Sequence, residues 1–526
     1  MDRVLDYGLF KSAAVIITAL GAFSLFRALA RAHGRSMSIR HIAGPPSPSW
    51  IFGNMLELML SEQYGDHEFD WQRKYGPVYR LKGCFGADEL VISDPVALNS
   101  IVNSSNFDHS PVTANFSKLM FEGTSLINVR GEYHRRLRAA LNPGFSAAGI
   151  RHYIPAMNKA AEEITQALDL DVSLPSINIS PMLSTASLGI ISQAAFGCTP
   201  EELGDEFVQI STRSAGMATH VDKRIIVLAG LGKHLPQWVW DAMALLPTAV
   251  LTELRRGKFL AKQVGRRIVQ GKLSAAQQGL ELEEDMFSQI LNPEKSDPKL
   301  TEEELADNTS LFIIAGQETS ATTMAFGLLA LARNPEFQDS LRREIHSSGE
   351  KTEAVYNNMP LLNAFIKEVL RLYPVLPSEE RIAIADPVIP LTDSITTSTG
   401  DHLSEIPVRK GQIVKLAIAA YQRMESLWGA DAGEFNPYRW IHGTTYQRDA
   451  VGPYGNLMAF FGGPHVCLGW RLAVLEMQVI LCELVGKFSF KLPEGDNIAR
   501  ICGANLLQPT LPSGEKGVRL QVARIL

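Results

Sequence analysis

Cys467 stands in the run Phe460-Phe461-Gly462-Gly463-Pro464-His465-Val466-Cys467-Leu468-Gly469, directly before a long apolar helical pattern from Trp470 to about Phe488. The sulfur therefore belongs at a helix N-terminus. Unpaired backbone N–H groups and the positive end of the helix dipole favour a thiolate there, the form that ligates metal. Gly463 and Gly469 permit conformations and close approaches that a side chain would block, as a loop lying against a flat macrocycle requires. A haem iron held by thiolate is the natural candidate. On the loop alone, a buried free thiol before a helix is the commoner reading.

A second grouping is Ala315-Gly316-Gln317-Glu318-Thr319-Ser320-Ala321-Thr322-Thr323, midway along another apolar helical pattern. Glycine and hydroxyl residues are poor choices there for helix stability alone. The spacing predicts a Thr319 hydroxyl bonded back to the Ala315 carbonyl, loosening the ladder beside Gly316 and opening a groove. Glu318 sets an acid beside that hydroxyl, which suits a proton relay. A bend in a core helix with Glu318 facing solvent is the alternative. In the basic run Gly131 to Arg138, His134 and Arg138 lie four apart, on one face if helical, and suit carboxylates; a solvated basic stripe reads the same way. Glu368-Val369-Leu370-Arg371 aligns an acid and a base at i,i+3, as many surface helices do.

The elements that must position these residues follow from pattern. Thr301-Glu302-Glu303-Glu304 is a capping box, starting a helix whose apolar pattern runs to about Arg333, roughly 48 Å long. Tyr75 to Leu81 and Glu89 to Ser93 read as strands around a turn at Lys82 to Gly86. Helical periodicity dominates from Asp94 to about Tyr373. Beyond it, short strands such as Gln412 to Leu416 alternate with irregular loops, and Thr392 to Gly400 reads as a polar surface excursion. The fold class is mainly α with small β-sheets.

Among 526 residues, 46% are hydrophobic and 20% charged, an ordinary globular composition. A net charge of -6 gives no electrostatic case for a nucleic-acid partner. Five widely spaced cysteines without a C-x-x-C pair argue against a disulfide framework and structural zinc, and for a reducing compartment. Cys482, inside an apolar helical run, is most simply core. Ser12 to Phe26 carries no charge, and with flanking apolar residues gives roughly 20 residues, about a bilayer span. Ala28-Leu29-Ala30 also resembles a signal-peptide cleavage site. Arg27, Arg31, Arg35 and Arg40 follow the segment, which places the body in the cytosol by the positive-inside bias. The predicted organisation is a transmembrane anchor over 1–30, a basic and Pro-rich linker over 31–50, and a catalytic domain over 51–526.

Four features occur in a fixed order: the mid-helix AGQETS, then EVLR, then Phe435-Asn436-Pro437-Tyr438-Arg439-Trp440, then the cysteine loop. Together they resemble the cytochrome P-450 family of haem-thiolate monooxygenases, from about Gly44 to the C-terminus. The GPPSPSWIFGN opening is most similar to membrane-bound fungal members. The resemblance implies the P-450 fold and haem b with Cys467 as axial iron ligand, in a loop matching the family at Phe460 and Gly463. It implies a structural ion-pair network of Glu368, Arg371 and Arg439, proton delivery by Glu318 and Thr319, and haem propionates paired by Arg138 and Arg381. His134 and His465 stand where the family usually has Trp and Arg; a histidine still donates a hydrogen bond to a propionate, with less charge at neutral pH.

The implied activity is hydroxylation or a related oxidation of a lipophilic small molecule, with O2 as co-substrate. No G-x-G-x-x-G follows a strand, so electrons come from NADPH through a separate membrane-bound flavoprotein reductase. Arg135, Arg136 and Arg471 are its expected docking charges, on the cysteine side. The endoplasmic reticulum membrane, single-pass with a cytosolic catalytic domain, is the implied location, and the fungal likeness points to secondary metabolism such as terpenoid biosynthesis. Expected pocket walls are Phe107 to Phe121, Gly216 to Trp240, Ala315 with Thr319, and Val375 to Ser378. One alternative is a haem-thiolate isomerase or dehydratase acting on peroxides without O2 activation. A non-enzymatic membrane-tethered haem binder is another. Glu318 and Thr319 disfavour both.

Overall fold

A computed structural model describes residues 38–171, 173–217, 221–280, 284–291, 300–443, 451–495, 500–503 and 506–525. The predicted anchor over 1–30 and residues 31–37 of the linker lie outside these residues. Among the described residues no helix is long and apolar enough to cross a membrane.

A five-stranded sheet is built from β1 (Val78–Lys82), β2 (Asp88–Ile92), β3 (Phe107–His109), β4 (Glu379–Ala383) and β5 (Ile413–Leu416), in the order β1-β2-β5-β4-β3. Only β2 and β5 run parallel. The predicted hairpin is present, its turn closed by a 3-10 segment at Cys84–Gly86. All of β2 is buried, including Asp88 and Glu89. Buried carboxylates need partners: Arg80 and Lys82 meet Asp88 at 2.6 and 2.5 Å, and Lys233 meets Glu89 at 2.6 Å.

The helices that matter for the site are α1 (Gly131–Phe145), α2 (Ser180–Phe196), α3 (Thr309–Arg333), α4 (Pro360–Leu372) and α5 (Trp470–Lys487). A helix apolar on every side belongs in the interior. That is α3, buried along most of its length against α2, α4 and α5. Its exception is the stretch 314–319, where only Gln317 is buried and Ala315 is accessible. Gly316 marks the closest approach of α2, since a Cβ there would stand 2.6 Å from Ile191 Cγ1. Close packing of α2 therefore also requires a glycine here.

The capping box at Thr301 forms as predicted, but the helix it starts ends at Ala306. Asn308 causes the interruption. Its Nδ2 donates to the Glu304 carbonyl at 2.7 Å and its Oδ1 accepts the Leu126 N–H at 2.9 Å, replacing ladder bonds with side-chain bonds. The helical path resumes when Phe312 N–H donates to Asn308 O at 3.0 Å.

The segment 392–400 is mostly exposed, as a polar surface excursion requires, but its first half is strand. Val388–Thr396 pairs with His402–Pro407 as an antiparallel hairpin, with a register shift between Pro390 and Ile395. Ile389 and Ile406 are fully buried, and the Asp94 carboxylate takes the Thr392 N–H. The alternation was hidden because the irregular middle breaks the period of two. Cys482 is buried within α5, as predicted.

Glu304 joins α1 to this frame: Arg136 pairs with it, and Tyr133 Oη and Thr301 N–H each donate at 2.9 Å. Although burial opposes ionisation, these donors hold its carboxyl down at about 2. A depressed carboxyl stabilises the fold above its unfolded value, and that stability is lost as pH falls through the folded value. Glu304→Gln is therefore expected to cost roughly 1–2 kcal/mol at neutral pH. The cost should shrink as pH falls from about 4.5 towards about 2. Urea unfolding of both proteins across that window measures it.

Candidate functional site

The cysteine loop is held by backbone geometry before any side chain acts. Cys467 N–H donates to Phe460 O at 2.8 Å and Val466 N–H to Gly463 O at 3.1 Å. Gly463 has φ +63°, and a Cβ there would meet the Val102 carbonyl oxygen at 2.5 Å. Its constraint comes from the protein's own backbone. Gly469 is different: its φ is −86° and the nearest atom to a built Cβ is a Phe145 ring carbon at 3.6 Å, so nothing in the protein demands glycine there. Phe461 is non-glycine at φ +60°, a strained conformation of the sort that accumulates at functional sites.

Cys467 lies deep in the protein, yet it is accessible, so its sulfur faces an interior hollow. Burial pushes its thiol up, while the Gly469 N–H and the Arg138 charge pull it down. The helix N-terminus thus supplies the predicted help, but desolvation outweighs it. A metal cation at the sulfur reverses that balance.

Around the hollow stand three histidines and three arginines. The His134 and His465 rings are 4.2 Å apart, and His109 lies 6.3 Å from His465. Burial first, then the neighbouring positive charges, pushes His134 down to about 4 and His465 to about 3, so both are neutral at physiological pH. Arg381 is not free: it pairs with Glu379 at 2.6 Å, touches His109 Nδ1 at 2.7 Å and lies over the Phe461 ring. Arg130 pairs with Asp108 at 2.8 Å. Arg138 is half-buried and has no carboxylate partner among the described residues, and burial pulls its guanidinium below its usual value. His109, Glu379 and Arg130 were not singled out from sequence; only the antiparallel pairing of β3 with β4 brings His109 opposite Arg381.

On α3, Thr319 Oγ1 donates to Ala315 O at 2.8 Å, as predicted. Glu318 neither faces open solvent nor stands unengaged. Ser184 Oγ donates to its Oε1 at 2.7 Å and Lys516 pairs with its Oε2. Ser184 and Lys516 carried no sequence signal. Next along, Ser320 reaches Glu476 of α5, which also accepts from Ser187 Oγ at 2.5 Å. Burial pushes that carboxyl up to about 7.

Glu368, Arg371 and Arg439 do come together, behind the loop. Glu368 and Arg371 are fully buried and form a two-point pair at 2.8 and 2.9 Å. Glu368 also accepts from Arg439 Nε at 3.1 Å, Asn436 N–H at 2.8 Å and Trp440 Nε1 at 2.9 Å. Arg371 meanwhile donates to the carbonyls of Gln422, Ala432 and Glu434, and Arg439 to that of Trp428. Two helical residues thus fix an irregular segment, and Lys367, its ammonium over both the Trp440 and Tyr454 rings, links that segment to Tyr454, which packs on Phe460 of the cysteine loop and on Trp470 just after it. Of the expected reductase-facing charges, Arg136 is taken by Glu304 and Arg135 pairs with exposed Glu132. Arg471 is exposed and lies over Trp470.

Residues 43–514 match the family model for cytochrome P450. The chain belongs to that family, and is an oxidoreductase of the monooxygenase type, which uses a haem-thiolate centre to place one atom of O2 into substrate. It is 29% identical over 484 residues to cytochrome P450 monooxygenase 205 of Postia placenta, covering 86% of each chain. It is also 29% identical over 522 residues to a ganoderic acid synthetase of Ganoderma lucidum, covering 92% of this chain and 93% of the relative. A monooxygenase of Ampulloclitocybe clavipes, claW, is 26% identical over 96% of both. The residues present fit a haem: an accessible but desolvated thiol, a half-buried guanidinium with no carboxylate partner among the described residues, and an open stretch on α3 at Ala315.

Removing the Glu368 carboxylate leaves the fully buried Arg371 guanidinium with no carboxylate partner, while Arg439 keeps Asp431, a loss of roughly 3–5 kcal/mol. Glu368→Ala is expected to lower the urea midpoint accordingly and to cut the yield of folded protein, whereas Glu132→Ala, at an exposed pair, changes neither.

Proposed function

We propose that this protein is a membrane-bound monooxygenase that hydroxylates or otherwise oxidises a lipophilic small molecule in fungal secondary metabolism, a terpenoid by preference. The single observation that carries the chemistry is Cys467: an accessible yet desolvated thiol, at the foot of α5, beside an arginine with no carboxylate partner among the described residues. The haem b it would ligate supplies O2 activation when reduced. The likeness to a ganoderic acid synthetase supports a role in secondary metabolism.

The chain's own residues then have separable tasks. Cys467 binds the iron as thiolate. Arg138 pairs one propionate with full charge, while neutral His134 and His465 contribute hydrogen bonds without competing for that charge. Arg381, already held by Glu379, offers its remaining donors to the other propionate. Thr319, held by the Ala315 carbonyl, points the relay towards the hollow, and Glu318 feeds it protons. Part of the expected wall is continuous: Gln237 Nε2 donates to Asn115 Oδ1 at 2.8 Å, and Trp240 caps the Gly232 carbonyl at 3.3 Å. Such closure excludes water and leaves apolar side chains for a lipophilic ligand.

Electrons would come from NADPH through a separate flavoprotein reductase, docked on the cysteine side at Arg471 and Arg135. The location is the endoplasmic reticulum membrane, held by the uncharged segment Ser12 to Phe26, with the catalytic domain in the cytosol. Apolar exposure supports a nearby lipid surface. Trp50 packs on Phe85, the helix Lys223–Gly232 packs on the same turn through Cys84, and Trp50, Ile225 and Leu228 all remain exposed there.

Two outcomes test this reading. Cys467→Ala should lose the thiolate-type Soret band of the reduced, carbon monoxide-treated protein; retention of that band at the wild-type position would overturn it. Turnover with reductase should fall steeply as ionic strength rises, and Arg471→Glu should flatten that dependence, measured as NADPH consumption in membranes.

A further inference from the structure

The acid of the proposed relay is clamped from two directions. Ser184 Oγ holds Glu318 Oε1 at 2.7 Å, and Ser184 in turn accepts from Gln317 Nε2 at 3.0 Å. Lys516, which pairs with Oε2, comes from the far end of the chain. Its turn follows the strand Leu507–Thr510 and is closed by Leu511 N–H to Glu515 O at 2.7 Å and by the Thr510–Lys516 bridge. One residue at the foot of α2 sets both arms. Asn178 Nδ2 donates to Lys516 O at 3.3 Å, its Oδ1 accepts the Val518 N–H at 3.2 Å, and that same oxygen accepts the Ser180 N–H at 3.3 Å where α2 begins. Gly517 allows the approach, since a Cβ there would stand 2.4 Å from Asn178 Oδ1.

A surface ion pair needs no such scaffolding. Here the lysine side chain is 30% exposed and the glutamate 17%, so the ammonium reaches inward from the surface to a carboxylate that is mostly enclosed. The other end of the strand meets an expected pocket wall, where Leu507 N–H donates to Val375 O at 2.8 Å. One short stretch of chain therefore touches both the pocket wall and the relay acid.

We propose that Lys516 is a positioning residue for the oxidation, holding the Glu318 carboxylate in register with Thr319. This rests on the relay reading above. Reduced O2 has two exits in the holoenzyme without added substrate. Two electrons and two protons release it as hydrogen peroxide; four electrons and four protons, with O–O cleavage, release two waters. A correctly placed acid favours the second, and a displaced one the first.

The test uses full-length holoenzyme in membranes with reductase, NADPH and no added substrate, reading hydrogen peroxide released per NADPH consumed across pH. K516Q is expected to raise that ratio several-fold, K516R to restore it, and E318Q to raise it with no further change in the double variant. Hydrogen–deuterium exchange over residues 314–319, read on the same proteins without turnover, should quicken in K516Q and recover in K516R. K516A serves the same purpose should K516Q load haem poorly. If E318Q raises the ratio while K516Q and K516A leave both ratio and exchange unchanged, the role of Lys516 is refuted and the relay survives. If E318Q itself leaves the ratio unchanged, the relay reading falls, and this inference with it.

Discussion

A sulfur kept deep in the protein with one face open is the constraint on which the rest of the structure depends. Desolvation alone makes such a thiol a poor ligand, and burial does push Cys467 up. What opposes it is local: the Gly469 N–H, the Arg138 charge and the start of α5 all present positive potential to the same atom. None is sufficient against burial. The site is thus completed electrostatically by a cation at the sulfur, which is what a haem-thiolate centre supplies.

Holding that sulfur in place falls to a second buried device some way behind it. Glu368 gathers donors from Arg371, Arg439, Asn436 and Trp440, and the two arginines in turn satisfy the carbonyls of an irregular segment. A regular helix or strand would satisfy those carbonyls through its own ladder; an irregular chain has no such means. Buried charge here substitutes for secondary structure. The segment it fixes ends at Trp440, which Lys367 joins to Tyr454 against the cysteine loop, so the loop is backed by groups held from its far side.

The lining of the hollow divides charge unevenly. Arg130 and Arg381 are already paired to protein carboxylates, His134 and His465 are neutral, and Arg138 alone keeps an uncommitted positive charge among the described residues of that cluster. His134 and His465, with rings 4.2 Å apart and tilted, give hydrogen-bonding capacity without more buried charge. On α3, Ala315 is exposed while Glu318 turns towards α2 and the C-terminal turn.

Sequence alone determined the parts whose physics is local. The Thr319 back-bond, the capping box at Thr301, the hairpin before Ile92 and the apolar helix after Cys467 each depend on residues within a turn or two, and each formed as its pattern implied. The family, too, was legible, because ordered short motifs survive as strings. Tertiary structure alone decided what depends on distant partners. It made a surface-like Glu-x-x-Arg into a fully buried knot, gave Gly316 its role against Ile191, engaged Arg136 with Glu304, and brought Lys516 to Glu318 across 198 residues. Burial and long-range charge pairing are properties of the packed chain, set by which surfaces meet, and no window of sequence contains both surfaces.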